Sequence, residues 1–175
     1  LIPGTNPTDH SSGWSLIMFH VESSECTALL SDVPVGKGPR NQAGAIVWQD
    51  TPMGLQVLLV ERSSGRGWGI PKGGIERGES SQAAALREAW EEAGVKAKPR
   101  IQEVGEMRYV KRRRDQVVQL HAMEIRDLAN EWPEAFRRRR AWFSLEDAVR
   151  EVDRFSGLAE VLQALQPAEN LKLVA

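Results

Sequence analysis

The segment from residue 71 to residue 95, PKGGIERGESSQAAALREAWEEAGV, sets a glycine-rich turn directly before a helical pattern whose acids recur at fixed intervals. At about 100° per residue, Glu88, Glu91 and Glu92 share an arc of about 100°, and Ala83, Leu86, Ala89, Trp90 and Ala93 lie opposite. The expectation is a helix with an apolar back for the core and a carboxylate front for a ligand. Solvated acidic faces usually carry Lys or Arg at four-residue offsets. Here Glu88 and Glu92 stand at that offset and repel each other by a few tenths of a kcal/mol, roughly. A hard divalent cation, Mg²⁺ or Mn²⁺, would use such an oxygen set. The preceding glycines let the backbone come close to a ligand, and Lys72 adds a phosphate-seeking charge. Together these features suit cleavage of a polyphosphate, where the metal neutralises phosphoryl oxygens and acidifies the attacking water.

The rest of the chain bounds that reading. At 175 residues it holds one ordinary core, and 23 basic against 24 acidic residues leave a net charge of −1. No global charge drives it toward a nucleic acid polymer or an anionic membrane. The single Cys26 excludes an internal disulfide, and no Cys/His group has zinc-site spacing, which points to a reducing cytoplasm. WSLIMF at 14–19 is too short to cross a bilayer and lacks a secretory signal's flanks, so a soluble protein without a membrane partner is expected.

Residues 1–39 show no sustained period and are expected to form a tail or irregular cover, with CTALL a short strand at most. The domain is expected over 40–167, followed by a C-terminal tail at 168–175. AGAIVWQD and LQVLLVER read as strands joined by the turn TPMG. SSGRGWGIPKGG is too glycine-rich for an element interior. Ser80 or Ser81 caps the acidic helix and Gly94 stops it. IQEVGEMRYV and DQVVQLHAMEI read as strands around the basic loop KRRRD, and SLEDAVREV and GLAEVLQALQ as helices. The order describes an α/β domain with a mixed sheet.

Gly73, five residues to Glu79, then seven to the run Arg87-Glu88-Ala89-Trp90-Glu91-Glu92-Ala93-Gly94-Val95 resembles the signature of the Nudix hydrolases. A chance match of its seven fixed positions is expected about once in a million chains of this size. The resemblance implies an α/β/α sandwich with a mixed β-sheet and a loop-helix-loop catalytic element, acting on a nucleoside or other diphosphate. It implies Glu88, Glu91 and Glu92 as metal ligands, one of them a candidate base, with the Gly73 carbonyl as a further ligand. Arg87 and Glu79 would pair to brace the helix.

RNQAGAIVW, LQVLLVERSSGRGWGIPKGG and WPEAFRRRRAWFSLEDAV are similar to the subgroup holding diphosphoinositol polyphosphate phosphohydrolases and dinucleoside polyphosphate hydrolases. Substrates of either kind are expected. The alternatives are a nucleotide-sugar or ADP-ribose diphosphatase and a nucleotide-binding module with little turnover. KRRR at 111–114 and RRRR at 137–140 are candidates to line a cleft for a highly charged ligand, or else exposed loops. Arg138 and Arg140, with Arg40, Arg66 and Lys72, are the expected substrate-binding residues, and Arg62 reads as either a further phosphate contact or the mere end of its strand. His10, His20 and His121 are expected at the surface or in satisfied hydrogen bonds. Trp48, Trp90 and Trp142 read as core. Trp68 reads as either a wall of the site or core, and Glu124 as either an auxiliary carboxylate or a solvent-facing strand residue.

Overall fold

A computed structural model describes residues 39–152 and 157–165. Expectations for the N-terminal tail, Cys26, His10, His20 and the C-terminal tail fall outside these residues. Seven strands form one sheet: β1 (Arg40–Thr51), β2 (Gly54–Glu61), β3 (Trp68–Gly69), β4 (Lys72–Gly74), β5 (Val95–Lys111), β6 (Arg114–Leu128) and β7 (Arg140–Ser144). The helices are α1 (Ser81–Ala93), α2 (Leu145–Glu151) and α3 (Leu158–Ala164). The main strand order is β3-β2-β1-β6-β5, with β4 paired to β1 and β7 to β2. Among the described strands only β1 and β6 pair in parallel, so the sheet is mixed.

Strand alternation divides the apolar residues between two faces. Ala43, Ala45 and Val47 of β1 and Leu58 and Val60 of β2 join the alanines of α1 in one buried cluster. Ile46, Trp48, Val57 and Leu59 face the other way and meet Leu145 and Ala148 of α2 and Leu158 and Leu162 of α3. Helices cover both faces, which makes the α/β/α sandwich. Trp142 packs against the first cluster, and Trp68 packs edge-on to Phe143 at 5.1 Å beside the second.

The capping chemistry of α1 follows its sequence. Ser80 accepts a hydrogen bond from the Ala83 N–H at 3.1 Å, and Gly94, left-handed at φ 62°, closes the helix on the Trp90 carbonyl at 2.8 Å. Its faces depart from expectation. The buried residues are Ala84, Ala85, Glu88, Ala89, Glu92 and Ala93, so two of the carboxylates share the inward face with the alanines. Ala83 is exposed, and Trp90, expected in the core, is 38% exposed. Small residues on both sides of the α1–β1 seam bring the helix close, and its inner edge is turned toward β4, where backbone groups and arginines meet the acids.

Three strands escape sequence patterning. β3 and β4 arise inside the glycine-rich stretch because its extended backbone pairs with β2 and β1, for example Gly73 opposite Ala43. β7 pairs with β2 although its sequence opens on an arginine run. β5 and β6 are longer than their apolar runs, and β5 skips register between Ala97 and Ile101, the stretch that contains Pro99, which has no N–H to donate.

Substituting Ala89→Leu should overfill the α1–sheet seam and destabilise the fold by about 1–3 kcal/mol. A lowered urea midpoint would register it; an unchanged midpoint would mean the seam has slack.

Candidate active site

The turn after β4 delivers the chain into α1 with Arg87 facing back across it. Its guanidinium donates to both oxygens of Glu79 at 3.0 Å and to the Gly74 carbonyl at 2.8 Å. The same group reaches Glu88 Oε1 at 2.7 Å and Glu91 Oε2 at 3.2 Å. Glu79 also accepts from the Glu76 N–H at 3.0 Å. These bonds, Arg87's above all, hold the Glu79 carboxyl below the usual range. The expected Glu79–Arg87 brace is therefore a five-bond hub joining turn to helix.

Glu88 and Glu92 are buried, at 8% and 6% exposure. A Cβ at Gly73 would overlap the Glu88 carboxylate, so only glycine lets the two approach. Burial raises the pKa of Glu88, with Arg87 opposing. Glu92 accepts from the Lys72 N–H at 3.2 Å and pairs with Arg138 Nη2 at 2.6 Å. Burial pushes Glu92 up to about 7 even so, with the charges of Arg138 and Lys72 pulling the other way. Glu91 is the more open of the three, its side chain 41% exposed.

A cavity of about 310 Å³ opens beside Glu92. Arg62, Lys72, Lys111 and Arg138 line it, against one lining carboxylate, Glu92; Ile70, Met107 and Leu158 supply apolar wall. Burial lowers the pKa of Lys72, Glu92 opposes that shift, and Lys111, Arg138 and Arg62 add to it. The Lys72 ammonium lies 5.8 Å from the centre of the Tyr109 ring, whose hydroxyl donates to Gln42 Oε1 at 2.7 Å.

Of the substrate-binding residues expected from sequence, Lys72 and Arg138 reach this cavity. Arg66 is exposed on the β2–β3 turn and does not line it. Arg40 is exposed at the start of β1 beside Gly74, also outside the lining. Arg140 is committed elsewhere: its guanidinium donates to the Ala93 and Ala129 carbonyls, the latter at 2.7 Å, and stacks 3.9 Å over Trp132. A left-handed Gly94 makes room for it, since a Cβ there would stand 2.8 Å from Arg140 Nη1. Arg140 thus caps the carbonyl end of α1 instead of facing a ligand.

Tyr109 was not expected at the site, and Lys111 only as part of the basic run at 111–114. Strand alternation from buried Met107 through Tyr109 to Lys111 was the available signal. Arg62 lines the cavity while its Nε donates to the Trp68 carbonyl at 3.0 Å. Glu124 pairs with Lys98 at 2.6 Å. His121 is buried and lies 3.0 Å from Ser81 Oγ, which fits a satisfied hydrogen-bonding role.

The donor chemistry fits a hard divalent ion: three carboxylates, with the Gly73 backbone pressed against one of them. The expected convergence differs in detail. Among the described residues no three His, Cys, Asp or Glu side chains form a metal-holding cluster. Arg87 draws Glu88 and Glu91 to itself, and Arg138 holds Glu92.

The NUDIX domain pattern matches residues 38–165, covering the sheet, the helices and this cavity. The chain belongs to the NUDIX family. It is similar to Nudix hydrolase 4 of Arabidopsis thaliana, 40% identical over 124 residues, which is 69% of this chain and 57% of that protein. Diphosphoinositol polyphosphate phosphohydrolase 3-alpha of Mus musculus is 37% identical over 99 residues, covering 54% of this chain and 58% of its own. The chain thus spans little more than half the length of these relatives. Its fold is similar to that of a C. elegans Ap4A hydrolase, with TM-score 0.58 and 21% identity over 71% of this chain and 94% of that one.

For this NUDIX domain, Arg140→Ala should lower stability by about 1–3 kcal/mol by stripping a donor from half-buried carbonyls. Ligand affinity should stay within twofold of wild type in calorimetry. A large affinity loss at unchanged stability would return Arg140 to the ligand site.

Proposed function

We propose that this NUDIX domain is a Mg²⁺-dependent hydrolase cleaving a phosphoanhydride bond in a highly phosphorylated small molecule, of the dinucleoside polyphosphate or diphosphoinositol polyphosphate kind. One observation carries the reading: Glu92 of the signature helix enters a cavity that four cationic side chains also line. The names of the Arabidopsis, mouse and C. elegans proteins support the same class of reaction.

Glu88, Glu91 and Glu92, with the Gly73 carbonyl, are the residues that would hold the metal ion. When bound, such an ion neutralises phosphoryl charge and makes phosphorus more open to attack. Arg138 and Lys72 hold phosphoryl oxygens from the cavity wall and favour the charge that builds in the transition state. A water oxygen bonds to phosphorus, the bridging P–O bond breaks, and the bridging oxygen leaves with the electron pair. Glu92, which lines the cavity, is the candidate to accept the water proton, and the leaving phosphate is the final proton acceptor. Arg87 and Glu79 fix the helix that carries these groups.

Product formation should be followed by chromatography across dinucleoside polyphosphates, diphosphoinositol polyphosphates, nucleotide sugars and ADP-ribose, since only the diphosphoinositol compounds release inorganic phosphate. Turnover is expected with Mg²⁺ and should vanish on chelation with EDTA; no turnover on any of them would leave a binding module. Glu92→Gln should keep the fold and cut turnover by about a hundredfold or more, because it removes a ligand charge without changing volume. Near-normal turnover would take that residue out of the site.

A further inference from the structure

Residues 129–139 run along the last turn of α1. The Ala129 N–H, the Trp132 indole and the Glu134 N–H donate to the carbonyls of Gly94, Glu92 and Glu91 at 2.9, 3.2 and 3.0 Å. Glu134 also begins a helical turn, its carbonyl accepting from the N–H groups of Arg137 at 2.8 Å and Arg138 at 3.0 Å. That turn sets the side chains of Glu134 and Arg138, four residues apart, on one side. Glu134 Oε2 then accepts from Arg138 Nε at 2.5 Å.

Arg138 is engaged at all three nitrogens of its guanidinium. Nε meets Glu134, Nη1 reaches the Glu61 carbonyl at 3.4 Å, and Nη2 pairs with Glu92 Oε1 at 2.6 Å. A guanidinium carries its N–H groups in one plane, two on each Nη, so each Nη keeps a further N–H for a ligand. The Nε bond decides which way that plane faces. Without it the Nε–Nη2 edge would be free to turn side-on to Glu92 and take both carboxylate oxygens in a fork. Glu92 Oε2 would then leave the Lys72 N–H, which holds it at 3.2 Å. Acid and arginine would close on each other. Glu134 itself lies outside the cavity lining, so it acts through the arginine and not on a ligand.

We propose that Glu134 is a positioning residue of this site: seated on α1 through its own backbone, its carboxylate holds the Nε edge of Arg138 so that the spare Nη hydrogens face the cavity. It does for Arg138 what Glu79 does for Arg87, from outside the signature segment. The inference rests on the reading of Arg138 as a phosphate-holding side chain.

Calorimetry in Mg²⁺ with methylenediphosphonate, a diphosphate with carbon in place of the bridging oxygen, tests it without turnover. Glu134→Ala should weaken the probe about tenfold, nearly as much as Arg138→Ala does, whereas Glu134→Gln, which keeps an acceptor for Nε, should cost less than about threefold. Adding Glu134→Ala to Arg138→Ala should cost less than about a further twofold, because both act through one group. Proton–nitrogen NMR reads the aiming directly. The Arg138 Nε–H resonance, assigned by its absence from Arg138→Ala, should stand apart in wild type and Glu134→Gln and fall among the solvent-exposed arginines in Glu134→Ala. Binding by Glu134→Ala within about twofold of wild type, losses that multiply in the double variant, or an unmoved resonance would overturn the proposal. Should wild type itself not bind the probe, the polyphosphate reading of the cavity falls, and the resonance alone decides the aiming. Binding as expected with no hydrolysis of any compound would sink only the hydrolase reading.

Discussion

How near α1 can come to the sheet determines everything at the site. Ala84, Ala85, Ala89 and Ala93 meet Ala43, Ala45 and Val47 across a seam with almost no side-chain bulk. That nearness, together with the bare backbone of Gly73, lets the carboxylates of Glu88 and Glu92 touch the strand edge rather than water. Larger residues in the seam would lift the helix and carry the acids away from β4.

Burying carboxylates is unfavourable unless charge and hydrogen bonds meet them. Two guanidiniums from opposite sides supply this. Arg87 serves Glu88 and Glu91 from the helix itself, while Arg138 reaches Glu92 from the loop before β7. The same loop is tied to the helix by the Glu134 N–H on the Glu91 carbonyl at 3.0 Å and by the Trp132 indole on the Glu92 carbonyl at 3.2 Å. Catalytic helix and cationic wall are thus one hydrogen-bonded unit, and a change in either is felt by the other.

Much of this was legible in the chain. The Ser80 and Gly94 caps and the alternating strands depend on neighbours a few residues away, and local spacing encodes them; the Arg87–Glu79 brace was legible through the family resemblance. The buried face of α1 was not legible, because periodicity counts apolar residues and cannot know that a glycine strand edge will accept carboxylates. Arg138 and Arg140 look equivalent in sequence, yet Arg138 lies in the loop before β7 and meets Glu92, whereas Arg140 opens the strand and meets the end of α1. β3, β4 and β7 owe their existence to distant partners, so nothing in their short sequences marks them.

The parallel pairing of Arg40 to Trp48 with Gln116 to Glu124 has a bearing on how the chain is born. β1 leaves the ribosome well before β6 exists, so its central apolar stretch must wait for most of the domain to be synthesised. The β5–β6 hairpin is local, whereas the β1–β6 pairing closes a long intervening chain and carries the larger loop-closure cost. A nascent chain stalled before β6 would leave one edge of β1 open through Ile46, Val47 and Trp48, a natural target for a chaperone or for self-association.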